Sequence, residues 1–103
     1  MLNKAEKELV CVAQFVAKTG TEDELLRELH SLISPTKKEK GYIRYELNQG
    51  TDNPRQVAFV EKFASREAFD AHCKMPYIKK FFADVAPRLV ESQVVTLYQE
   101  VLP

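Results

Sequence analysis

Two strands, a turn and two helices follow one another without interruption in residues 41–82, GYIRYELNQGTDNPRQVAFVEKFASREAFDAHCKMPYIKKFF. Within this run, a strand that carries Glu61 leads directly into a helix that carries His72. The pattern predicts that a carboxylate and an imidazole meet over one apolar surface. This pair is the main indication of function in the chain.

The two strands of this run are expected to form a hairpin with a long loop. Alternation of apolar and polar residues predicts the first strand over Tyr42–Gln49, with Ile43, Tyr45 and Leu47 on one face. A segment dense in turn-forming residues separates it from a second, mostly apolar strand over Gln56–Ala64. Because the other face of the first strand is polar, we expect it at an edge of the sheet.

Two short helices should follow the hairpin. Ser65 is placed to cap the first of them, and Pro76 fits the first turn of the second. On the first helix Ala68, Phe69, His72 and Cys73 share a face. The core stripe of the second consists of Ile78, Phe81, Phe82, Val85 and Leu89.

The segments on either side of this run complete a sheet. Glu8–Ala17 is almost continuously apolar, which is typical of a strand covered on both faces. Thr21 opens a capping-box pattern, which predicts a helix from there to about Ser34, before Pro35. Ser92–Leu102 is expected to be the fourth strand.

The order strand, helix, strand, strand, broken helix, strand predicts an α+β fold of the ferredoxin-like β-α-β-β-α-β type. Its antiparallel sheet would have the first and third strands in the middle, and these are the two most apolar strands. We interpret residues 1–103 as one domain.

The expected sheet presents an assembly problem. Two helices cover only one face of four strands, yet the first strand is apolar on both faces, with Leu9, Cys11 and Phe15 on one and Val10 and Val12 on the other. A second copy packed sheet to sheet would cover the exposed face, since most soluble oligomers are symmetric. We therefore expect a homodimer in which two sheets form one α/β barrel. The alternative is a monomer with an exposed apolar patch.

Composition narrows the class of protein. Lysine plus arginine equal aspartate plus glutamate at 15 each, which argues against nucleic acid or an anionic membrane as partner. Residues 1–6 lack the apolar core of a secretory signal, so we expect a cytoplasmic protein. The two cysteines, Cys11 and Cys73, are expected to be reduced. Metal-ligand spacings of the Cys-x-x-Cys or His-x-x-x-His kind are absent, so no metal site is predicted.

Glu61 and His72 are the candidate catalytic residues. Glu61 shares a strand face with Val57, Phe59 and Phe63, so desolvation should raise the pKa of its carboxyl group unless a partner holds it ionised. Histidine is such a partner, and its side chain exchanges protons near neutral pH. For Glu61 the alternatives are a structural ion pair or a carboxylate satisfied by backbone groups and water, and for His72 the alternative is a packed, hydrogen-bonded core residue.

Tyr45 and Tyr77 are the candidate ligand contacts. Tyr45 should bury its ring and bring its hydroxyl group to a partner or a ligand. Tyr77 follows Pro76 where the two short helices meet. For both tyrosines, core packing is the alternative.

Four segments together resemble a known family. GYIRYEL at 41–47, VEKF at 60–63, REAFDAH at 66–72 and MPYIKKF at 75–81 are similar to the antibiotic biosynthesis monooxygenase family. The resemblance implies a small dimeric α/β-barrel protein. Some members oxidise quinols with molecular oxygen and no metal or flavin, others degrade haem, and others isomerise phosphorylated keto sugars. The chain departs from the family pattern at Tyr77, where a second histidine is usual, and at Phe63, where tryptophan is frequent.

The leading expectation is a cofactor-independent monooxygenase that acts on a quinol or a similar electron-rich phenol. His72, oriented by Glu61, would accept a phenolic proton, and the resulting anion would reduce oxygen. The substrate would be bound by Tyr45, Tyr77, Phe59 and Phe63. An isomerase of a small keto or phosphorylated metabolite and a binding protein without turnover are the alternatives.

Overall fold

The computed structural model describes residues 3, 4 and 7–103. The expectation that residues 1–6 carry no secretory signal concerns a segment of which four residues lie outside the described ones: Met1, Leu2, Ala5 and Glu6.

One antiparallel sheet contains four strands in the order β2-β3-β1-β4. The strands are β1 (Leu9–Ala17), β2 (Tyr42–Gln49), β3 (Gln56–Phe63) and β4 (Val90–Tyr98). The apolar strands β1 and β3 lie in the middle of the sheet, as the sequence predicts. The α+β, ferredoxin-like fold is confirmed. The fourth strand begins two residues earlier than expected and ends at Tyr98, beyond which Val101 forms an isolated bridge with Lys4.

Helices connect the strands and enclose the core on one face of the sheet. They are α1 (Glu22–His30), α2 (Ile33–Thr36), α3 (Arg66–Cys73), α4 (Pro76–Lys80) and α5 (Ala86–Leu89). A π-helical segment, Phe81–Val85, joins α4 to α5. The expected broken helix after β3 is thus confirmed, with the break before Pro76.

Of the two helix caps predicted from the sequence, the structure contains the one at Ser65 and lacks the one at Thr21. The Ser65 hydroxyl accepts a hydrogen bond from the Ala68 N–H at 3.0 Å, which confirms the predicted cap. The capping box at Thr21 is wrong, because its hydroxyl group lies within 2.8 Å of the Lys18 and Leu89 carbonyl oxygens and makes no cap bond. The helix nevertheless begins at the predicted place, and it ends at His30 rather than near Ser34.

The predicted alternation of inward and outward side chains along β2 is wrong for its first two residues, Tyr42 and Ile43. The pairing register with β3 shifts between Tyr42 and Arg44, so Tyr42 lies opposite Phe63 and packs against the core. Ile43, which was expected to face the core, is 42% exposed. A one-residue bulge inverts the face of the residues beyond it, and this bulge leaves Tyr45 on the buried face.

The two faces of the sheet differ in burial. On the helix-covered face, Phe59 and Phe63 are almost completely buried together with Leu25 and Leu29 of α1. The opposite face, which we call the open face, carries mainly apolar side chains of β1, β3 and β4. These are Val10, Val12, Val16, Ala58 and Val60, which are partly buried, and Val94 and Tyr98, which are 58% and 51% exposed. Within the described part of the chain, no helix has the length and apolarity needed to cross a membrane.

Candidate active site

A cavity of about 120 Å³ lies between the helix-covered face of the sheet and the helices. Its walls are mainly apolar and aromatic, and its polar groups come from a few side chains. Three of its lining residues, Cys73, Phe82 and Val95, are exposed, and we infer that its mouth lies between Phe82 of the π-helical segment and Val95 of β4. The lining residues are Cys11, Ala13, Phe15, Leu29, Leu32, Tyr45, Phe59, Glu61, Phe69, His72, Cys73, Ile78, Phe81, Phe82 and Val95.

Glu61 brings a carboxyl group into this apolar wall. It lies on β3, paired with Cys11 of β1 on one side and Tyr45 of β2 on the other, and is 4% exposed. Burial, and after it the negative charge of Glu39, raise the pKa of Glu61 to about 8, while the Cys11 thiol acts in the opposite direction. Among the described residues none donates a hydrogen bond to Glu61 Oε1. At neutral pH this group is therefore mainly a protonated carboxyl with an unpaired oxygen.

His72 reaches the same cavity from α3, where it is 3% exposed. Its ring lies 4.7 Å from that of Phe63 and 5.3 Å from that of Tyr45, measured between centroids. His72 Nε2 is 3.8 Å from Glu61 Oε1, which is longer than a hydrogen bond. The predicted meeting of the strand acid and the helix imidazole is therefore found, with a small gap between the two atoms.

Glu39 supplies the hydrogen bond that was expected from Glu61. Its carboxylate oxygens lie 2.9 and 3.1 Å from His72 Nδ1, and the Tyr77 hydroxyl group also donates to it. The Glu39 side chain is 5% exposed. Sequence reasoning missed this residue, which lies in the connection between α2 and β2. The available indication was an acid in a connection that is otherwise basic at Lys37, Lys38 and Lys40.

The aromatic candidates divide into two groups. Tyr45 and Phe59 line the cavity and stack on each other with centroids 4.1 Å apart. Burial, and then the charge of Glu61, raise the pKa of Tyr45, which remains a neutral phenol. Tyr77 and Phe63 lie outside the lining residues described for the cavity: Tyr77 contacts Glu39, and Phe63 packs against His72.

Taken together, the site offers one proton-accepting nitrogen and one protonated carboxyl on an apolar wall. A ligand oxygen that lies beside this pair, on the cavity side and about 2.8 Å from each atom, would reach both His72 Nε2 and Glu61 Oε1. Among the residues described, no group of three or more histidine, cysteine, aspartate or glutamate side chains is arranged to hold a metal ion. The arrangement suits proton transfer to and from a small, mostly apolar molecule.

Comparisons with known proteins agree with this fold. Residues 9–84 match the sequence model of the family described as antibiotic biosynthesis monooxygenase. The Mycobacterium tuberculosis protein Rv0793, named as a candidate monooxygenase, is 30% identical over 86 residues, which is 84% of each chain. Its crystal structure superposes with a TM-score of 0.85 over 93% of this chain and 97% of that one, at 25% identity.

Two further crystal structures extend the comparison. Protein SO0527 from Shewanella oneidensis is 45% identical and superposes with a TM-score of 0.97 over the whole of both chains. A Caulobacter crescentus protein described as a candidate antibiotic biosynthesis monooxygenase shares the fold at 21% identity, with a TM-score of 0.84 over 93% and 92% of the two chains. Because the family model matches residues 9–84, most of the chain, and a relative named as a monooxygenase is 30% identical over 84% of it, this protein belongs to the antibiotic biosynthesis monooxygenase family.

Proposed function

We propose that the protein is a cofactor-independent monooxygenase that oxidises a small quinol or a related electron-rich phenol in the cytoplasm. The observation that carries this proposal is the pair formed by His72 Nε2 and the unpaired Glu61 Oε1 on the wall of an apolar cavity. Such a pair can bind and deprotonate one phenolic hydroxyl group while the rest of the ring lies against Tyr45 and Phe59.

The reaction begins with proton transfer. His72 Nε2 accepts the phenolic proton, and the protonated Glu61 carboxyl donates a hydrogen bond to the phenolate oxygen that forms. Molecular oxygen then takes one electron from the phenolate, and the two radicals combine to form a carbon–oxygen bond. The peroxide anion formed in this way takes back the proton held by His72, and the resulting hydroperoxide loses water together with the ring hydrogen, which leaves one oxygen atom on the ring as a carbonyl group. The electrons come from the substrate, and the protein supplies binding, proton transfer and exclusion of water.

The charge of the lining residues favours this substrate class over the isomerase alternative. Among the described residues that line the cavity there is no lysine or arginine. A phosphorylated sugar would therefore bury its phosphate without a cationic partner, which is costly. An uncharged aromatic ring with one or two hydroxyl groups meets no such cost.

The size of the cavity limits the substrate. Its volume of about 120 Å³ is small against the roughly 300–1,000 Å³ that is usual for ligand pockets. We infer that a one-ring quinol enters the site as it stands. A two-ring quinol requires displacement of the Phe82 side chain at the mouth.

The open face supports a homodimer as part of the proposal. The apolar residues of β1, β3 and β4 on this face cover more of the sheet than isolated exposed side chains would. Burying them against the same face of a second copy would give a symmetric dimer, with one cavity on the outer side of each sheet. The proposed assembly keeps the two sites separate.

Oxygen consumption tests the proposed function. The parent protein should consume oxygen with a methyl-substituted benzoquinol above the rate of autoxidation. His72→Ala should lower kcat/KM by roughly 100-fold or more, the usual contribution of a positioned general base. The matched control is His30→Ala, because His30 is an exposed histidine on α1. Oxygen uptake that is equal in the parent and His72→Ala would remove His72 from the mechanism, and no uptake above autoxidation would exclude the activity on such quinols.

A further inference from the structure

A buried carboxylate, Glu39, lies on the side of His72 away from Glu61. Both of its oxygens are within 3.1 Å of His72 Nδ1, and Oε2 is the nearer at 2.9 Å. The side chains of Glu39 and His72 are 5% and 4% exposed, so water does not compete for this contact. A buried contact of this kind is formed at the cost of desolvating both groups, and it fixes their geometry more firmly than a surface pair does.

The protonation pattern follows from the donors and acceptors present. A carboxylate only accepts hydrogen bonds, so the proton shared with Glu39 belongs to His72 Nδ1. In a neutral imidazole the other nitrogen, Nε2, is then an acceptor. This nitrogen is the one that faces Glu61 and the cavity.

Tyr77 completes the arrangement on the far side of Glu39. Its hydroxyl group donates to Glu39 Oε2, the same oxygen that is nearer to His72. Burial, followed by the hydrogen bond and the charge of Glu39, raise the pKa of Tyr77, so its hydroxyl group remains a donor. Two donors, one from α3 and one from α4, therefore hold the carboxylate in place.

We propose that Glu39, held by Tyr77, is a positioning residue that fixes His72 as the Nδ1–H tautomer and thereby keeps Nε2 free to accept a substrate proton. This inference rests on the proposed function for its consequence in catalysis. Its structural part, the tautomer, stands independently of any substrate. Glu39 also stabilises the imidazolium ion that forms when Nε2 takes the proton.

Nitrogen-15 NMR of the imidazole rings tests the structural part directly. Two-bond proton–nitrogen spectra distinguish Nδ1–H from Nε2–H rings, and His72→Ala assigns the two histidine patterns. At about pH 7, above the ordinary histidine pKa of ~6.5 and below the pH of about 8 at which Glu61 ionises, the neutral His72 ring of the parent should carry its proton on Nδ1. An Nε2–H pattern in the parent would overturn the inference without any need for a variant to fold.

Variants of Glu39 test the positioning role. Glu39→Ala removes the acceptor and should move the neutral ring toward the Nε2–H form. Glu39→Gln keeps a carbonyl oxygen for Nδ1–H and should retain the tautomer while losing the charge. The matched control is Glu67→Ala, because Glu67 is an exposed glutamate on α3 and should leave the spectrum unchanged.

Kinetics with the quinol separate the two proposals. Glu39→Ala should lower kcat by roughly 10-fold or more with KM within about twofold, and Glu39→Gln should recover part of the loss. Tyr77→Phe, which keeps the ring and removes the donor, should lower kcat by a smaller factor. If the parent turns over quinol and Glu39→Ala keeps both its Nδ1–H pattern and its kcat, the inference about Glu39 is wrong and the proposed function stands. If the parent shows the Nδ1–H pattern and no turnover, the proposed function fails and the tautomer assignment stands.

Discussion

The raised pKa of Glu61 makes the stability of the fold depend on pH in a definite direction. In the unfolded chain this carboxyl group loses its proton near its ordinary pKa of 4.5, whereas in the folded protein it retains the proton to about pH 8. Because the folded state binds the extra proton, the stability linked to Glu61 is fully present below pH 4.5 and is lost as the pH rises to about 8. Above that range both states are ionised and the effect is constant.

The change in pKa of Glu61 sets the size of the change in unfolding free energy. Raising the pKa from 4.5 to about 8, at about 1.4 kcal/mol for each pKa unit, costs the folded protein about 5 kcal/mol once Glu61 is ionised. Between pH 5 and pH 7 the loss should be about 3 kcal/mol, since one extra proton gives a slope of about 1.4 kcal/mol per pH unit. This is a large part of the roughly 5–15 kcal/mol that stabilises a typical domain.

Glu61→Gln removes this dependence, because an amide of nearly the same shape stays neutral at every pH. Urea unfolding of the parent and the variant at pH 5, 6, 7 and 8 gives the difference in unfolding free energy at each pH. That difference should move in favour of the variant by about 3 kcal/mol from pH 5 to pH 7. The control is Glu46→Gln, since the Glu46 side chain lies on β2 and is 62% exposed.

A difference between parent and Glu61→Gln that is flat across this pH range would refute the reasoning. It would mean that Glu61 is ionised in the folded protein at neutral pH. The protonated carboxyl group assigned to the mechanism would then be absent, whatever the activity of the protein.

The remaining predictions concern the assembly, the packing and the cavity. Light scattering should report twice 11.8 kDa for the parent, and a parent mass of 11.8 kDa would contradict the dimer. Val60→Lys places a charge on the open face and should give 11.8 kDa with an unchanged circular dichroism spectrum. Gly41→Ala should cost about 1–3 kcal/mol in urea unfolding, because the added Cβ would lie 2.2 Å from the Ala68 Cβ, and Ala68→Gly should recover most of this loss if the clash is its cause. Phe82→Ala should lower KM for menadiol more than for a methyl-substituted benzoquinol in oxygen-uptake assays, and equal effects would place the mouth of the cavity elsewhere. The kcat of the parent should fall as the pH rises through about 8, where Glu61 ionises, and Glu61→Gln should lack this decrease.

The fold was predictable because local patterns and global topology agree. The nearly continuous apolar run of β1 requires a central position, and the polar face of β2 suits an edge. The details that sequence reasoning missed depend on contacts between distant segments. The Thr21 hydroxyl group is directed to a carbonyl of residue 89, and the bulge near Ile43 is set by pairing with β3.

The site was predictable in part for the same reason. Glu61 and His72 lie on strand and helix faces whose periodicity indicates that they point inward, so their approach followed from the sequence. Glu39 lies in a connection without periodicity, and its contact with His72 spans 33 residues. The sign of its charge among the neighbouring lysines was the one local indication, and it did not predict burial, because the burial of Glu39 is decided by where α3 and α4 pack.

Two glutamates on opposite sides of one imidazole acquire different roles from their hydrogen-bond partners. Glu39 accepts hydrogen bonds from His72 and Tyr77, so both of its neighbours in the site are donors. Glu61 Oε1 receives none from the described residues, and the nearby charge of Glu39 further disfavours its ionisation. The carboxylate of Glu39 therefore lies at His72 Nδ1, away from the cavity, and the neutral carboxyl group of Glu61 lies near Nε2, on the cavity wall. A phenolate formed between His72 and Glu61 meets an imidazolium ion and a hydrogen-bond donor instead of a second anion, and this is the electrostatic condition that the proposed proton transfer requires.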